Sequence, residues 1–265
     1  MLLLSPVLVK AQDSIQQTTP ETTVAGESTS NGQATVDAAM KAYQEGDFEK
    51  AAELFEAEVK IQREKGLESA ELYYNLGNAY FRDNEIAKAL LYYEKAQLID
   101  PGDRDIRNNI EYARTRIEDK IIGVDTFFLQ SWFDAVQNML GSNAWANISI
   151  VLFLILMAAL SMFVFTRYIT VKKAAFYAGI VVIVLLIFTN VFSVRQKYKL
   201  TNRDTAIIMA GSVSVKSSPD SSSKELFVIH SGTKVRINKE DGRWLEIEIE
   251  NGNVGWMTRE QLEII

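Results

Sequence analysis

The chain has 265 residues, 48% of them hydrophobic, and a formal net charge of -6 at pH 7. Its basic residues are scattered along the chain, which gives no support for binding nucleic acid. It has no cysteine and one histidine, His230, which argues against thiolate chemistry, cysteine-rich zinc sites and sites that need two histidines. We therefore expect a protein that is not an enzyme and that has no metal site and no cofactor.

The first 34 residues contain two segments that are unable to build a core. Residues 1–12 combine an apolar run with small residues near Ala11, which is typical of the end of a secretory signal peptide. They lack a basic start, so either the signal is truncated or these residues are a disordered beginning. Residues 13–34 are rich in Thr, Ser, Gln and Gly, which predicts a disordered tether.

Residues 35–120 show the apolar spacing of helices and an internal repeat. The clearer unit covers residues 71–101, and its order and spacing resemble the tetratricopeptide repeat, a hairpin of two helices. The small residues Gly77 and Ala89 stand where the two helices must approach closely. A weaker copy covers residues 36–59, and a third helix over 103–120 is predicted to cap the stack.

Stacked helical hairpins leave a concave groove lined by the first helix of each unit. Asparagine side chains both donate and accept hydrogen bonds, so a row of them can pair with the backbone of an extended peptide, while aromatic residues supply pockets. The alternative is that these residues only join neighbouring helices. The resemblance implies a protein-binding groove formed by eight residues: Tyr74, Asn75, Asn78, Phe81, Asn108, Asn109, Tyr112 and Arg116.

Two apolar stretches in the middle of the chain predict transmembrane helices at residues 147–166 and 174–194, joined by a loop at 167–173. Neither span contains an ionisable residue, so we expect anchors rather than a transport path. Before them, residues 123–141 carry aromatic residues at helical spacing, which predicts an amphipathic helix in the membrane interface. A hairpin returns the chain to the side it left, so both soluble parts share one compartment.

The signals for orientation conflict. Arg167, Lys172 and Lys173 place the loop in the cytoplasm by the positive-inside rule, whereas the basic residues after the second span favour the opposite orientation. The signal-like start, the Thr- and Ser-rich tether and the absence of cysteine favour soluble domains outside the cytoplasm.

Residues 205–265 change to an apolar period of two, which predicts about five short strands separated by turns. The segments VSVKSSPD, HSGTKV, GRWLEI and NGNVGWM resemble the bacterial SH3-like barrel, with Lys216 where that family more often has Arg. Trp244 is a candidate for an aromatic groove that binds a peptide or glycan. Trp256 is expected to be structural, and His230 to be packed or at the surface.

The order of these parts resembles the Bacteroides aerotolerance (Bat) proteins over nearly the whole mature chain. The resemblance implies a bacterial inner-membrane protein that faces the periplasm. It also implies partners that carry von Willebrand A domains, a MoxR-type ATPase as a further partner, and a role in oxygen tolerance or envelope stress. The resemblance assigns no catalytic residues to this chain.

We therefore expect a multidomain membrane protein with an α-helical tetratricopeptide solenoid, two transmembrane helices and a small all-β SH3-like barrel. Its expected function is that of a scaffold that docks other proteins and contacts the lipid bilayer. The alternative is an adaptor that binds peptidoglycan and recruits a wall enzyme.

Overall fold

The computed structural model describes residues 25–121 and 127–265, so the expected signal peptide and residues 13–24 of the tether lie outside the described part. The described helices are α1 (Ala25–Glu45), α2 (Phe48–Glu64), α3 (Ala70–Arg82), α4 (Ile86–Ile99), α5 (Arg104–Arg114), α6 (Phe128–Gln137), α7 (Ser142–Phe165) and α8 (Ile169–Thr201). The strands are β1 (Thr205–Ile208), β2 (Ser212–Lys216), β3 (Glu225–His230), β4 (Lys234–Asp241), β5 (Trp244–Ile249), β6 (Val254–Thr258) and β7 (Leu262–Ile264).

Helices α1 to α4 form two consecutive helical hairpins, and α5 packs against α4. A Cβ atom at Gly77 would lie 2.6 Å from the ring of Tyr93, so only glycine lets α3 and α4 approach this closely. Ala51 and Ala89 are completely buried at the corresponding positions of the two hairpins. The predicted helical repeat is therefore confirmed.

Helix α1 begins earlier than the sequence suggests. Residues 25–34 were expected to belong to the disordered tether, but they form the first half of a continuous helix. Gly32 lies directly against the carboxylate of the buried Glu58 on α2. Contact with α2 thus stabilises a segment whose own composition favours disorder, because most helical stability in proteins comes from tertiary packing.

Helices α7 and α8 are long and apolar enough to cross a membrane by length and composition, with mean hydropathy 2.8 and 2.4. They pack side by side, and the Nδ2 of Asn190 donates to the Oγ of Ser149 over 2.8 Å. The connection between them is shorter than the predicted loop at 167–173, because α8 begins at Ile169 and includes Lys172 and Lys173. This part of the chain has no glycine or proline to stop the helix, and the polarity of the two lysines is not sufficient to stop it.

The seven strands form one antiparallel sheet in the order β3-β2-β6-β5-β4-β1-β7. Along β5 the inward residues Leu245, Ile247 and Ile249 alternate with half-buried ones, as the period of two predicts. Gly232 and Gly252 have φ of 88° and 86° at two of the predicted turns. The SH3-like barrel is confirmed, and it has more strands than the expected five or so because the short β1 and β7 pair with each other.

The barrel packs directly on α4 of the repeat region. Ile207 on β1 and Ile265 at the end of the chain are each 1% exposed and belong to the same apolar core as the helices. Glu94 on α4, 3% exposed, accepts hydrogen bonds from Arg114 over 3.0 Å and from Lys234 of the barrel over 2.6 Å. Lys95 is also buried and pairs with Glu263 at 3.2 Å. The repeat region and the barrel therefore form one body, which we call the head.

Candidate protein-binding groove

The eight predicted groove residues lie on α3, on α5 and just after α5. A side-chain network brings the two helices together. The Nδ2 of Asn109 on α5 donates to the hydroxyl of Tyr74 over 3.1 Å and to the Oδ1 of Asn78 over 3.0 Å. The hydroxyl of Tyr93 on α4 donates to the same Oδ1 over 2.8 Å. Asn78 and Asn109 therefore do join neighbouring helices, as the alternative interpretation expected.

The same network leaves hydrogen-bonding capacity at the surface. Both hydrogens of the Asn109 amide and both lone pairs of the Asn78 amide oxygen are used within it. The amide oxygen of Asn109 takes no part in these bonds, whereas the side chain of Asn78 also hydrogen-bonds to Tyr74. A free amide oxygen matches the N–H of a peptide backbone.

Asn75 and Asn108 have a different role. Asn75 is half-buried on α3 and Asn108 is exposed on α5, and neither side chain has a hydrogen-bond partner within the described part of the chain. Their amides are therefore available to a ligand without disrupting an internal contact.

Aromatic residues form the end of the groove that lies nearer the barrel. The rings of Phe81 and Tyr112 are 5.4 Å apart, and Tyr112 is 46% exposed. Arg116 donates to the Tyr112 hydroxyl over 3.0 Å, and its guanidinium lies 5.4 Å from the centre of that ring. This arrangement gives a ligand one flat apolar surface next to one cation.

Burial raises the pKa of both Tyr74 and Tyr93 above the ordinary value of 10.0. Both hydroxyl groups are therefore neutral at physiological pH. The arrangement of the groove suits recognition by hydrogen bonds and stacking.

A second candidate surface lies on the outer face of the barrel. Trp244 and Trp256 are both half-buried, on β5 and β6, and point away from the core formed by Leu245 and Met257. The register pairs Trp244 with Thr258 and Glu246 with Trp256, so the two indoles are diagonal neighbours. Trp256 was expected to be structural, but it shares the outer face with Trp244 because the strand alternates sides at every residue.

His230 lies where the chain after α5 meets the barrel. Its Nδ1 is 2.7 Å from the Oδ1 of Asp119, and Asp119 also accepts from the backbone N–H of His230 and from the hydroxyl of Thr233. The hydrogen bond with Asp119 raises the pKa of His230. Burial of Asp119 opposes its ionisation, but the bonds from Thr233 and His230 outweigh this and lower its pKa. His230 therefore packs at the interface between the residues after α5 and the barrel.

Two clefts accompany these surfaces. One of about 410 Å³ lies between the turn before α4, the residues just after α5 and the barrel, and includes Arg116 and His230. A larger one of about 770 Å³ lies elsewhere, between α2, Tyr92 and Glu263. Its walls carry charges of both signs and no row of unpaired amides, so we assign the candidate site to the groove instead. Within the described ranges, no cluster of three His, Asp or Glu residues is arranged to hold a metal ion.

Comparison with known families agrees with this geometry. A tetratricopeptide repeat family model matches residues 70–103, and a bacterial SH3 domain family model matches residues 211–263. No curated protein matches the chain. The matched segments coincide with the second helical hairpin and with most of the barrel, so the chain combines two kinds of module that serve interactions.

Proposed function

We propose that this protein is a membrane-anchored scaffold without enzymatic activity, which docks a partner protein in the groove between α3 and α5. The observation that carries the proposal is the pair of unpaired amides of Asn75 and Asn108, which can both donate and accept, next to the free amide oxygen of Asn109. Such a surface pairs with the backbone of an extended segment and tolerates many sequences. Phe81 and Tyr112 then select an apolar side chain of that segment.

The position in the cell is part of the same proposal. Helices α7 and α8 cross a bacterial inner membrane as a passive hairpin, and the head faces the periplasm. Support for the two spans comes from the length and hydropathy of both helices. Support for the orientation comes from Arg167, Lys172 and Lys173 at the end of the hairpin away from the head, and from the signal-like start of the chain.

The partners belong to the proposal as well. The order of the modules resembles the Bat proteins, so we propose that the docked segment comes from a membrane protein with a von Willebrand A domain or from a MoxR-type ATPase. The biological role would be tolerance of oxygen or of envelope stress.

The groove is tested by placing a photoreactive benzoylphenylalanine at Asn108 in the full-length protein in its own cells. The control places the same group at Glu49, which is exposed on α2, away from the groove. We expect a covalent adduct from position 108 and none from position 49. The change Asn75→Ala should reduce the adduct several-fold, because it removes an unpaired amide without breaking an internal bond. Equal adducts at both positions, or no effect of Asn75→Ala, would show that the groove is misassigned.

A second candidate function is binding of peptidoglycan by the barrel, followed by recruitment of a wall enzyme. The specific observation in its favour is the pair formed by Trp244 and Trp256 on one outer face. Flat indole rings suit the apolar faces of sugars as well as peptide side chains.

Sedimentation with purified sacculi tests this alternative on the full-length protein in detergent, because Ile207 and Ile265 of the barrel share a core with the helices. If the barrel binds the wall, Trp244→Ala should abolish co-sedimentation, while the groove variant Asn75→Ala should not. Co-sedimentation no greater than that of an unrelated membrane protein eliminates this function.

A further inference from the structure

Helix α6 packs against α7 and α8 at one end of the apolar hairpin. The ring of Phe133 lies 4.9 Å from that of Phe192 on α8. The side chain of Gln137 is completely buried, and its Nε2 donates to the Oε1 of Gln196 over 3.1 Å. The indole N–H of Trp145 on α7 donates to the backbone oxygen of Gln137 over 3.0 Å. These contacts hold α6 across the ends of α7 and α8 that lie nearer the head.

The polar side of α6 points toward the head. Asp134 lies 3.8 Å from Arg195, and the Oδ1 of Asn138 accepts from Lys199 over 3.2 Å. Both basic residues come after Phe192 on α8, in the direction of the barrel. The polar side of α6 is thus turned away from the apolar part of the hairpin.

The opposite side of α6 is apolar and uncovered. At roughly 100° per residue, the face opposite Asp134 and Asn138 contains large apolar side chains that continue into the turn after the helix. Each of them is more than half exposed: Phe128, Leu129, Trp132 and Met139. Phe133, which packs against Phe192 of α8, borders this face, so the exposed face adjoins the apolar hairpin.

The length of the hairpin places α6 at a membrane boundary. About 20 residues separate Trp145 from Phe165, and about as many separate Ala174 from Val194, which at about 1.5 Å per residue equals a hydrocarbon thickness of about 30 Å. One boundary therefore lies at the level of Trp145 and Val194, where α6 is attached. Lys197 is exposed just beyond this level and has no ion-pair partner among the described residues, so it is available to a lipid phosphate.

A close backbone contact connects the turn after α6 to the head. A Cβ atom at Gly102, in the turn between α4 and α5, would lie 2.3 Å from the backbone oxygen of Met139. The repeat region therefore rests on the turn that follows α6, and any surface that holds α6 also holds the head.

We propose that the apolar face of α6 lies in the headgroup region of the bilayer and fixes the head at the membrane surface. The lipid is the occupant because this face continues the apolar surface of the hairpin and adjoins Lys197. The inference depends on the membrane position proposed above. This contact keeps the groove between α3 and α5 at a fixed distance from the bilayer and in a fixed orientation.

The chain has no cysteine, so single-site labelling tests this inference cleanly. Cysteine replaces Trp132 on the apolar face or, as the matched control, Gln130 on another side of the same helix; both are exposed. Each full-length variant is labelled with a polarity-sensitive dye and reconstituted into phosphatidylcholine vesicles. We expect the dye at position 132 to be quenched several-fold more by nitroxide lipids than the dye at position 130, and the reverse with iodide.

Flotation of the vesicles separates two possible failures. A chain that does not float with lipid contradicts the proposed anchor itself. A chain that floats, but whose dye at position 132 is as open to iodide as that at 130, overturns the lipid contact of α6 and leaves the anchor intact. Cysteine at Leu129 provides a second position on the same face and must agree with position 132; disagreement also overturns the inference.

Discussion

Glu94 shows how much of this fold depends on single side chains whose partners are remote in sequence. It occupies a helix position that looks ordinary, within the segment YYEKAQ, yet it is buried between Arg114 and Lys234. Burial opposes its ionisation, but the two cations outweigh this and hold its pKa below the ordinary value of 4.5. A carboxylate with a lowered pKa stabilises the folded state above its unfolded pKa and loses that contribution as the pH falls through its folded pKa.

The change Glu94→Gln should therefore destabilise the head, because it removes the counter-ion of Lys234 and the buried one of the two carboxylates beside Arg114. We expect a loss of roughly 2 kcal/mol or more and a fall of several degrees in the unfolding temperature, measured by circular dichroism in detergent at pH 7. As the pH falls below 4.5, the wild-type protein should lose the stability that the Glu94 carboxylate contributes, whereas residue 94 of the variant does not titrate.

The control is Glu49→Gln, which changes an exposed carboxylate on α2 that has no ion-pair partner among the described residues. It should leave the unfolding temperature nearly unchanged. An unfolding temperature of Glu94→Gln equal to that of the control would mean that the ion pairs between the repeat region and the barrel contribute little.

Helices and strands illustrate what periodicity can and cannot predict. The helical period identified the repeat hairpins and the period of two identified the barrel, because both follow from which side chains share a face. Helix α1 begins before residue 35 because it packs against α2, and α8 begins before residue 174 because no glycine or proline stops it. Within the interfacial segment predicted at 123–141, the structure describes residues 127–141, and α6 occupies only Phe128–Gln137.

The described part of the molecule is a head fixed to an apolar hairpin. Contacts between α4 and the barrel, the ion pair of Arg203 with Glu68, and the turn under Gly102 connect regions that are far apart in the chain. The groove therefore faces one fixed direction, which suits a scaffold that must present a partner near a membrane.

Membrane topology should place Arg167, Lys172 and Lys173 in the cytoplasm and the head on the other side of the membrane. We expect cysteine at Gln44 or Ser221, both in the head, to react with a membrane-impermeant maleimide in intact spheroplasts. Cysteine at Thr170, next to Lys172 and Lys173, should react only after lysis. All three positions are exposed, so accessibility within the protein does not bias the result.

The opposite labelling pattern would place the head in the cytoplasm. It would eliminate binding of the cell wall, and it would leave the groove proposal intact as that of a cytoplasmic adaptor.

The residue pattern alone was sufficient to predict the two modules and the two apolar helices, because apolar periodicity and repeat spacing are local properties. That the eight residues form a binding groove was implied by the resemblance and stays a prediction. Only the tertiary structure showed that Asn78 and Asn109 form a hydrogen bond with each other, whereas the side chains of Asn75 and Asn108 have no partner within the described part of the chain. It also decided that Trp256 faces outward beside Trp244 and that the barrel shares a core with the repeats. Such outcomes depend on which distant residues meet, and the free energy of those contacts belongs to the folded chain as a whole.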